Sequence, residues 1–156
     1  SIPRPYLRSR LARSLGRQPY IALLHHIIAT HHLHNHVTFT GERTNVDILV
    51  PQCDILVAPF TEPHFSRLCG EAALAGRPAV AFNIDGPGEE ILDGVTGLLA
   101  APFDPADLAA KLELLIVNPS LRQQLGHNAR LHAARVFSAP ANIAAVLSLY
   151  STLLPK

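Results

Sequence analysis

Short runs of apolar residues recur along the chain at 37–40, 55–58, 79–82 and 97–100. Most are apolar at nearly every position instead of alternating with polar ones. Continuous apolar strands belong to a sheet covered on both faces, the pattern of parallel α/β folds. Between and after these runs the period lengthens to that of helix. From Arg8 to about Leu33 the pattern is helical, with a break near Gly16 to Pro19. Residues 65–75 read as a helix that Gly76 closes. Asp104-Pro105-Ala106-Asp107 is a helix start, with an aspartate cap, proline at the first position and acid in the first turn. Leu108, Leu112 and Leu115 mark its buried stripe. Asn118-Pro119-Ser120 repeats the start signal for a helix reaching about Val136, and Ser138 caps a last helix through Tyr150 and Leu154. Strands alternating with helices predict an α/β, doubly wound parallel sheet, Rossmann-like in its connections. The expectation is one domain over 1–156, with 1–36 as a helical entry segment. Four strands are few for such a sheet, and an N-terminal truncation accounts for it.

Composition narrows the class. Of 156 residues, 48% are hydrophobic and 16% charged, enough apolar surface for a real core. A formal net charge of +1 gives no case for a nucleic-acid partner. Arg4, Arg8, Arg10, Arg13 and Arg17 all precede the first acid, Glu42. They form either a solvated helix face or a contact for phosphate, lipid or a partner. Cys53 and Cys69 sit beside apolar residues and read as buried, reduced thiols, which fits a cytoplasmic protein. No apolar run reaches the ~20 residues of a membrane span, and no signal peptide is visible. The chain starts at Ser1 and has no methionine, as a fragment or a processed chain would. His25, His26, His31, His32, His34 and His36 are dense, but no acid or cysteine interleaves with them. Adjacent histidines face different sides of a helix, so a metal site is not expected.

The candidate chemistry lies along one sheet edge. In open parallel sheets, ligands gather beyond the carboxyl ends of the strands. The loops at 59–64 and 83–88 both leave such ends. Phe65-Ser66-Arg67 begins the next helix, whose free N–H groups and dipole suit a phosphate. Arg67 can add a bidentate guanidinium contact. Glu71, one turn further in, reads as a buried carboxylate able to accept two hydrogen bonds from a vicinal diol such as the ribose 2′ and 3′ hydroxyls. Its plainer role is to complement the helix dipole. Gly86 and Gly88 serve as turn residues or allow close ligand approach. Glu89 and Glu90 open a short helical turn, and Phe65 packs in the core. No G-x-S-x-G elbow, P-loop or dinucleotide fingerprint is present.

From about Val37 to Leu154 the chain resembles the donor-binding domain of the family 4 (group 1) retaining glycosyltransferases of GT-B fold. The resemblance rests on His64-Phe65-Ser66-Arg67 followed by Glu71-Ala72-Ala73-Leu74-Ala75-Gly76-Arg77-Pro78. A second block, Asp85-Gly86-Pro87-Gly88-Glu89 through Asp93-Gly94-Val95-Thr96-Gly97-Leu98-Leu99, supports it. The family likeness implies that Glu71 is the second glutamate of an E-x7-E element and holds the nucleotide ribose. The first glutamate's position is Pro63, with Glu62 and His64 on either side as candidate contacts to the donor sugar.

The resemblance implies a nucleotide-sugar substrate of UDP or GDP type, bound by Phe65, Ser66, Arg67, Glu71, Asp85, Gly86, Pro87 and Glu89. It implies no cofactor and no metal. The family's opening strand, glycine-rich turn and basic residues are not found, and an acceptor-binding N-terminal domain would be a separate partner. The expected activity is retaining hexosyl transfer by the intact enzyme, working in the cytoplasm or at the inner face of a membrane through its acceptor. This chain alone is expected to be inactive. The rival expectation is a degenerate, non-catalytic module for assembly or regulation, homodimerising through an exposed sheet edge.

Overall fold

The computed structural model describes residues 17–153. The predicted helix start at Arg8, the arginines Arg4, Arg8, Arg10 and Arg13, and Leu154 lie outside them. The chain divides into two compact units between Thr44 and Asn45.

The first unit contains helix α1 (Arg17–Thr30). The predicted break near Gly16 to Pro19 lies at the limit of the described residues; the helix accommodates Pro19 in its first turn, where a proline lacks only an N–H that would be unpaired anyway. After α1 the chain turns through Val37, whose N–H donates to the Leu33 carbonyl at 3.1 Å. The strand expected at 37–40 is not formed. Val37 and Phe39 are exposed, and the Phe39 ring lies 4.9 Å from that of His25. A β-favouring sequence becomes a strand only when a neighbour takes its backbone hydrogen bonds, and among the described residues no strand pairs with it.

The second unit carries the sheet. A single turn of helix, α2 (Val46–Leu49), runs into a 3₁₀ turn at Val50–Gln52. There follow β1 (Leu56–Ala58), α3 (Arg67–Leu74), β2 (Ala79–Phe82), the one-turn α4 (Pro87–Glu90) and β3 (Gly97–Ala100). Three helices complete the unit: α5 (Pro105–Val117), α6 (Pro119–Val136) and α7 (Ala139–Leu153). The three strands are parallel in the order β1-β2-β3, with Val80 beside Val57 and Leu98.

Strand pleating sends alternate residues of β2 into two cores. Ala79 and Ala81 join Ala58, Ile91 and Cys69 of α3 on one face. Val80 joins Leu98, Leu115 of α5 and Leu125 of α6 on the other. Every residue of β2 is buried, which is why its sequence does not alternate. The expected α/β sheet, helix-covered on both faces, is present with three strands.

The predicted caps form. Asp104 accepts from the N–H groups of Ala106 and Asp107 at 2.9 and 3.2 Å, Asn118 from Leu121 at 3.0 Å, and Ser138 from Ala141 at 3.4 Å. Gly76 ends α3 at φ +71, a left-handed conformation that glycine adopts without strain. Cys53 departs from expectation. It is exposed, because the 3₁₀ turn at Pro51 places it before the sheet begins; Cys69 is buried.

Pro119–Leu153 also contains an apolar 18-residue window of mean hydropathy 1.4. The helix is interrupted at Phe137 and Ser138, leaving pieces of 18 and 15 residues. At 1.5 Å per residue the apolar piece, α7, spans about 22 Å, short of the ~30 Å hydrocarbon layer.

Candidate functional site

The loops leaving β1 and β2 meet at the carboxyl edge of the sheet. The His64 N–H donates to the Asp85 carbonyl at 3.3 Å. Gly86 lies so close against this strand of loop that a side-chain methyl there would overlap the His64 carbonyl. With φ at +98, only glycine sits there without strain. A Cβ at Gly88 would fall 2.8 Å from the Asn83 side-chain oxygen, so the second loop is tight as well. His64 is further fixed by an edge-on contact with Phe60, ring centroids 4.2 Å apart, and by a 2.8 Å hydrogen bond from Nδ1 to the Glu62 carbonyl.

Ser66 is the cap of α3. Its hydroxyl oxygen accepts from the Cys69 N–H at 3.4 Å and its O–H faces the Cys69 sulfur at 3.2 Å. The hydroxyl is buried and serves its own helix. Its backbone N–H donates to Glu90 Oε1 at 2.6 Å. The carboxylate that occupies this helix start therefore belongs to Glu90 of the second loop. The other oxygen, Oε2, is buried without a hydrogen-bond partner. Burial pushes the Glu90 carboxyl above its usual range, with the Ser66 N–H and His64 offsetting part of the effect. Burial likewise pushes the Cys69 thiol up. It is a packed thiol, held un-ionised.

The other expected residues are placed as follows. Glu71 is exposed on α3, one turn beyond the cap, where a buried carboxylate was expected. The helix buries its Cys69, Gly70 and Ala72 face instead. Phe65 is 61% exposed, its ring edge-on to Phe137 at 6.3 Å, so it is no core residue. Its place just before the cap turns it outward. Arg67, Asp85 and Glu89 are exposed and Pro87 is buried. Glu89 and Glu90 do open a helical turn, α4. Glu62 and His64 are exposed on the loop between β1 and α3. Among the described residues no three histidine, cysteine, aspartate or glutamate side chains converge as metal ligands.

The structural role of Glu90 is the feature missing from the sequence reading. Its neighbour Glu89 carries the motif, and only the docking of one loop on the other reveals which carboxylate turns inward. The signal available was slight: Glu90 directly precedes Ile91, a core residue.

This edge has a glycine-bearing loop seated against a second loop, beside a capped helix on a parallel sheet, and the chain that forms it matches a known family. Residues 14–132 match the family model described as glycosyl transferases, group 1. The chain belongs to that family. An uncharacterized glycosyltransferase, MJ1178 from Methanocaldococcus jannaschii, is 31% identical over 121 residues, 76% of this chain and 34% of that protein. Alr3699/HepE of Anabaena, solved in complex with UDP, superposes with a TM-score of 0.78 at 32% identity, covering 85% of this chain and 38% of its own. It has also been solved with UDP-glucose. The C-terminal domain of a group 1 glycosyl transferase, LpcC from Francisella tularensis, shares the fold at a TM-score of 0.69 and 20% identity, covering 76% of this chain and 63% of its own. The chain thus spans 34% of MJ1178 and 38% of HepE, and it has the fold of the C-terminal part of GT-B glycosyltransferases.

Proposed function

We propose that this chain is the nucleotide-sugar-binding portion of a retaining hexosyltransferase. The observation that carries the reading is the joined pair of loops around His64 and Gly86, beside α3, in a chain similar to a protein solved with UDP and UDP-glucose. The nucleotide's ribose lies against Glu71, which accepts hydrogen bonds from its two hydroxyls. The diphosphate lies at the start of α3. The first-turn N–H groups of Arg67 and Leu68 and the Arg67 guanidinium face it there, because Ser66 is committed to Glu90. Asp85, Gly86, Pro87 and Glu89 line the sugar side, with Glu62 and His64 across from them. In the intact enzyme the anomeric C–O bond breaks through an oxocarbenium-like state. The leaving diphosphate gains negative charge as it departs, and preorganised donors at the helix start stabilise that charge. Transfer to an acceptor held by a separate domain retains configuration. We nominate no nucleophile and no metal.

Isothermal titration of this chain with UDP, UDP-glucose and GDP-mannose tests the reading, alongside Glu71→Ala. The expected result is binding of one nucleotide class, weakened about tenfold or more by Glu71→Ala, the worth of a charge-assisted hydrogen bond. Undiminished affinity in Glu71→Ala sinks the ribose role. Binding of none of the three favours the rival reading, a non-catalytic module whose first motif glutamate has become Pro63.

A further inference from the structure

The opposite edge of the sheet holds a cavity of about 370 Å³ that the donor site does not use. Asp54 and Pro78, which lie just before β1 and β2, stand in its wall, whereas the donor loops leave the other ends of those strands. Arg77, Arg122 and Arg130 line it with His127, and Asp54 is the one acid among its described lining residues.

Protein groups hold two of these arginines in place. Arg122 donates to the Leu115 and Ile116 carbonyls at the end of α5, at 2.9 and 3.4 Å, and stands 3.7 Å from the Asp54 carboxylate. Arg77 donates through a terminal nitrogen to the Pro51 carbonyl. The Nε of Arg77 is buried and has no hydrogen-bond partner. A buried N–H of a charged group is nearly always paired, and this one is left unpaired out of reach of solvent, behind the guanidinium end that lines the cavity. Arg130 is exposed at the rim; its stem runs past Gly76, whose Cβ, if present, would lie 3.8 Å from Arg130 Cδ. The wall is rigid, because Gly126 of α6 packs so closely on Gly76 that any side chain there would overlap its carbonyl.

We propose that this cavity is an anion site, separate from the donor cradle, that takes a phosphate or phosphomonoester group of a small molecule. Three guanidinium groups against one carboxylate leave an excess of positive charge that a neutral ligand would not neutralise. The planar guanidinium fork matches phosphate oxygens. The volume exceeds a bare phosphate and falls in the range of small-ligand sites. The ligand's phosphate accepts from Arg130 and from the guanidinium end of Arg77, while Arg122 supplies charge from the side.

Inorganic phosphate is the probe. It is titrated into the isotope-labelled full chain at ionic strength held constant with sodium chloride, and amide shifts are followed by NMR. The proposal expects saturable shifts clustered at Gly76, Arg77 and residues 126–130. Arg130→Gln, a rim substitution that leaves the fold intact, weakens the effect about tenfold, as loss of one charge-assisted contact should. Arg77→Gln weakens it further where it folds. Saturating UDP and the Glu71→Ala substitution leave the cluster unchanged. Shifts that never saturate, that scatter over basic residues generally, that survive Arg130→Gln, or that UDP displaces would each overturn the site.

Discussion

Glu90 is the residue whose chemistry the fold changes most. Its carboxyl is raised by burial, with one oxygen on the Ser66 N–H and the other unpaired. A group raised on folding binds its proton more tightly in the folded chain. Its contribution to stability is full below its ordinary pKa and is lost as pH rises through the raised value. A diphosphate at the start of α3 would add negative charge nearby and favour the protonated form further. Parent affinity for UDP should therefore rise as pH falls from neutral through the raised Glu90 value, beyond any change in the UDP phosphates themselves. In Glu90→Gln, whose amide oxygen still accepts from Ser66, the affinity at neutral pH should be higher and the residual pH dependence should be that of UDP alone. Titration calorimetry across that range decides it: parallel pH profiles in parent and variant would show that Glu90 does not report to the phosphate position. The motif pointed to Glu89, because sequence records which residue is an acid and not which of two adjacent acids a docked loop turns inward.

At the scale of elements, the donor edge depends on one loop seated against another. Gly86 is the contact. A methyl group there meets the His64 carbonyl, and the backbone stands at φ +98. Gly86→Ala should cost more than about 2 kcal/mol, since strain of about 1–3 kcal/mol adds to a backbone clash. Chemical denaturation measures the cost, and UDP titration of the folded fraction should show a larger loss than Gly88→Ala, whose neighbour is the movable side chain of Asn83. Equal stability of Gly86→Ala and parent would mean the loops are not joined in this way. Elements of this kind were legible wherever their cause is local. Asp104, Asn118 and Ser138 each cap the helix that their own sequence announces, and the strands at Ala79 and Gly97 begin and end where the apolar runs do. The run at 37–40 failed because strand formation is decided by a partner. Glu71 and Phe65 were expected inside and lie outside, since their burial depends on which face of α3 meets the sheet. The cap at Ser66 sets that face, and the alternating residues of the strands receive it.

For the whole molecule, the donor loops open on solvent. Glu62, His64, Phe65, Glu71 and Glu89 are all exposed at the edge where the sugar would lie. The chain corresponds to 38% of the Anabaena protein solved with UDP-glucose. Along α7, Ile143, Val146, Leu147, Leu149, Tyr150 and Leu153 are exposed, and the helix buries no residue. Charge-assisted hydrogen bonds are strong when water is excluded, and developing charge on a leaving diphosphate is stabilised most in a closed, dry site. One wall of a cleft can bind by its fixed donors and still leave the anomeric carbon wet and without an acceptor. The chain should then hold UDP-glucose without consuming it. Proton NMR of the anomeric signal, with chain in excess over ligand, should show broadening or shift on binding and no loss of UDP-glucose beyond that in buffer. Release of glucose or UDP at an enzymatic rate would show that these loops complete the chemistry without a second wall. Separation of binding from turnover would place the missing contribution in the closure of the cleft, because under the proposed function the helix start, the paired loops and Glu71 suffice to hold the nucleotide.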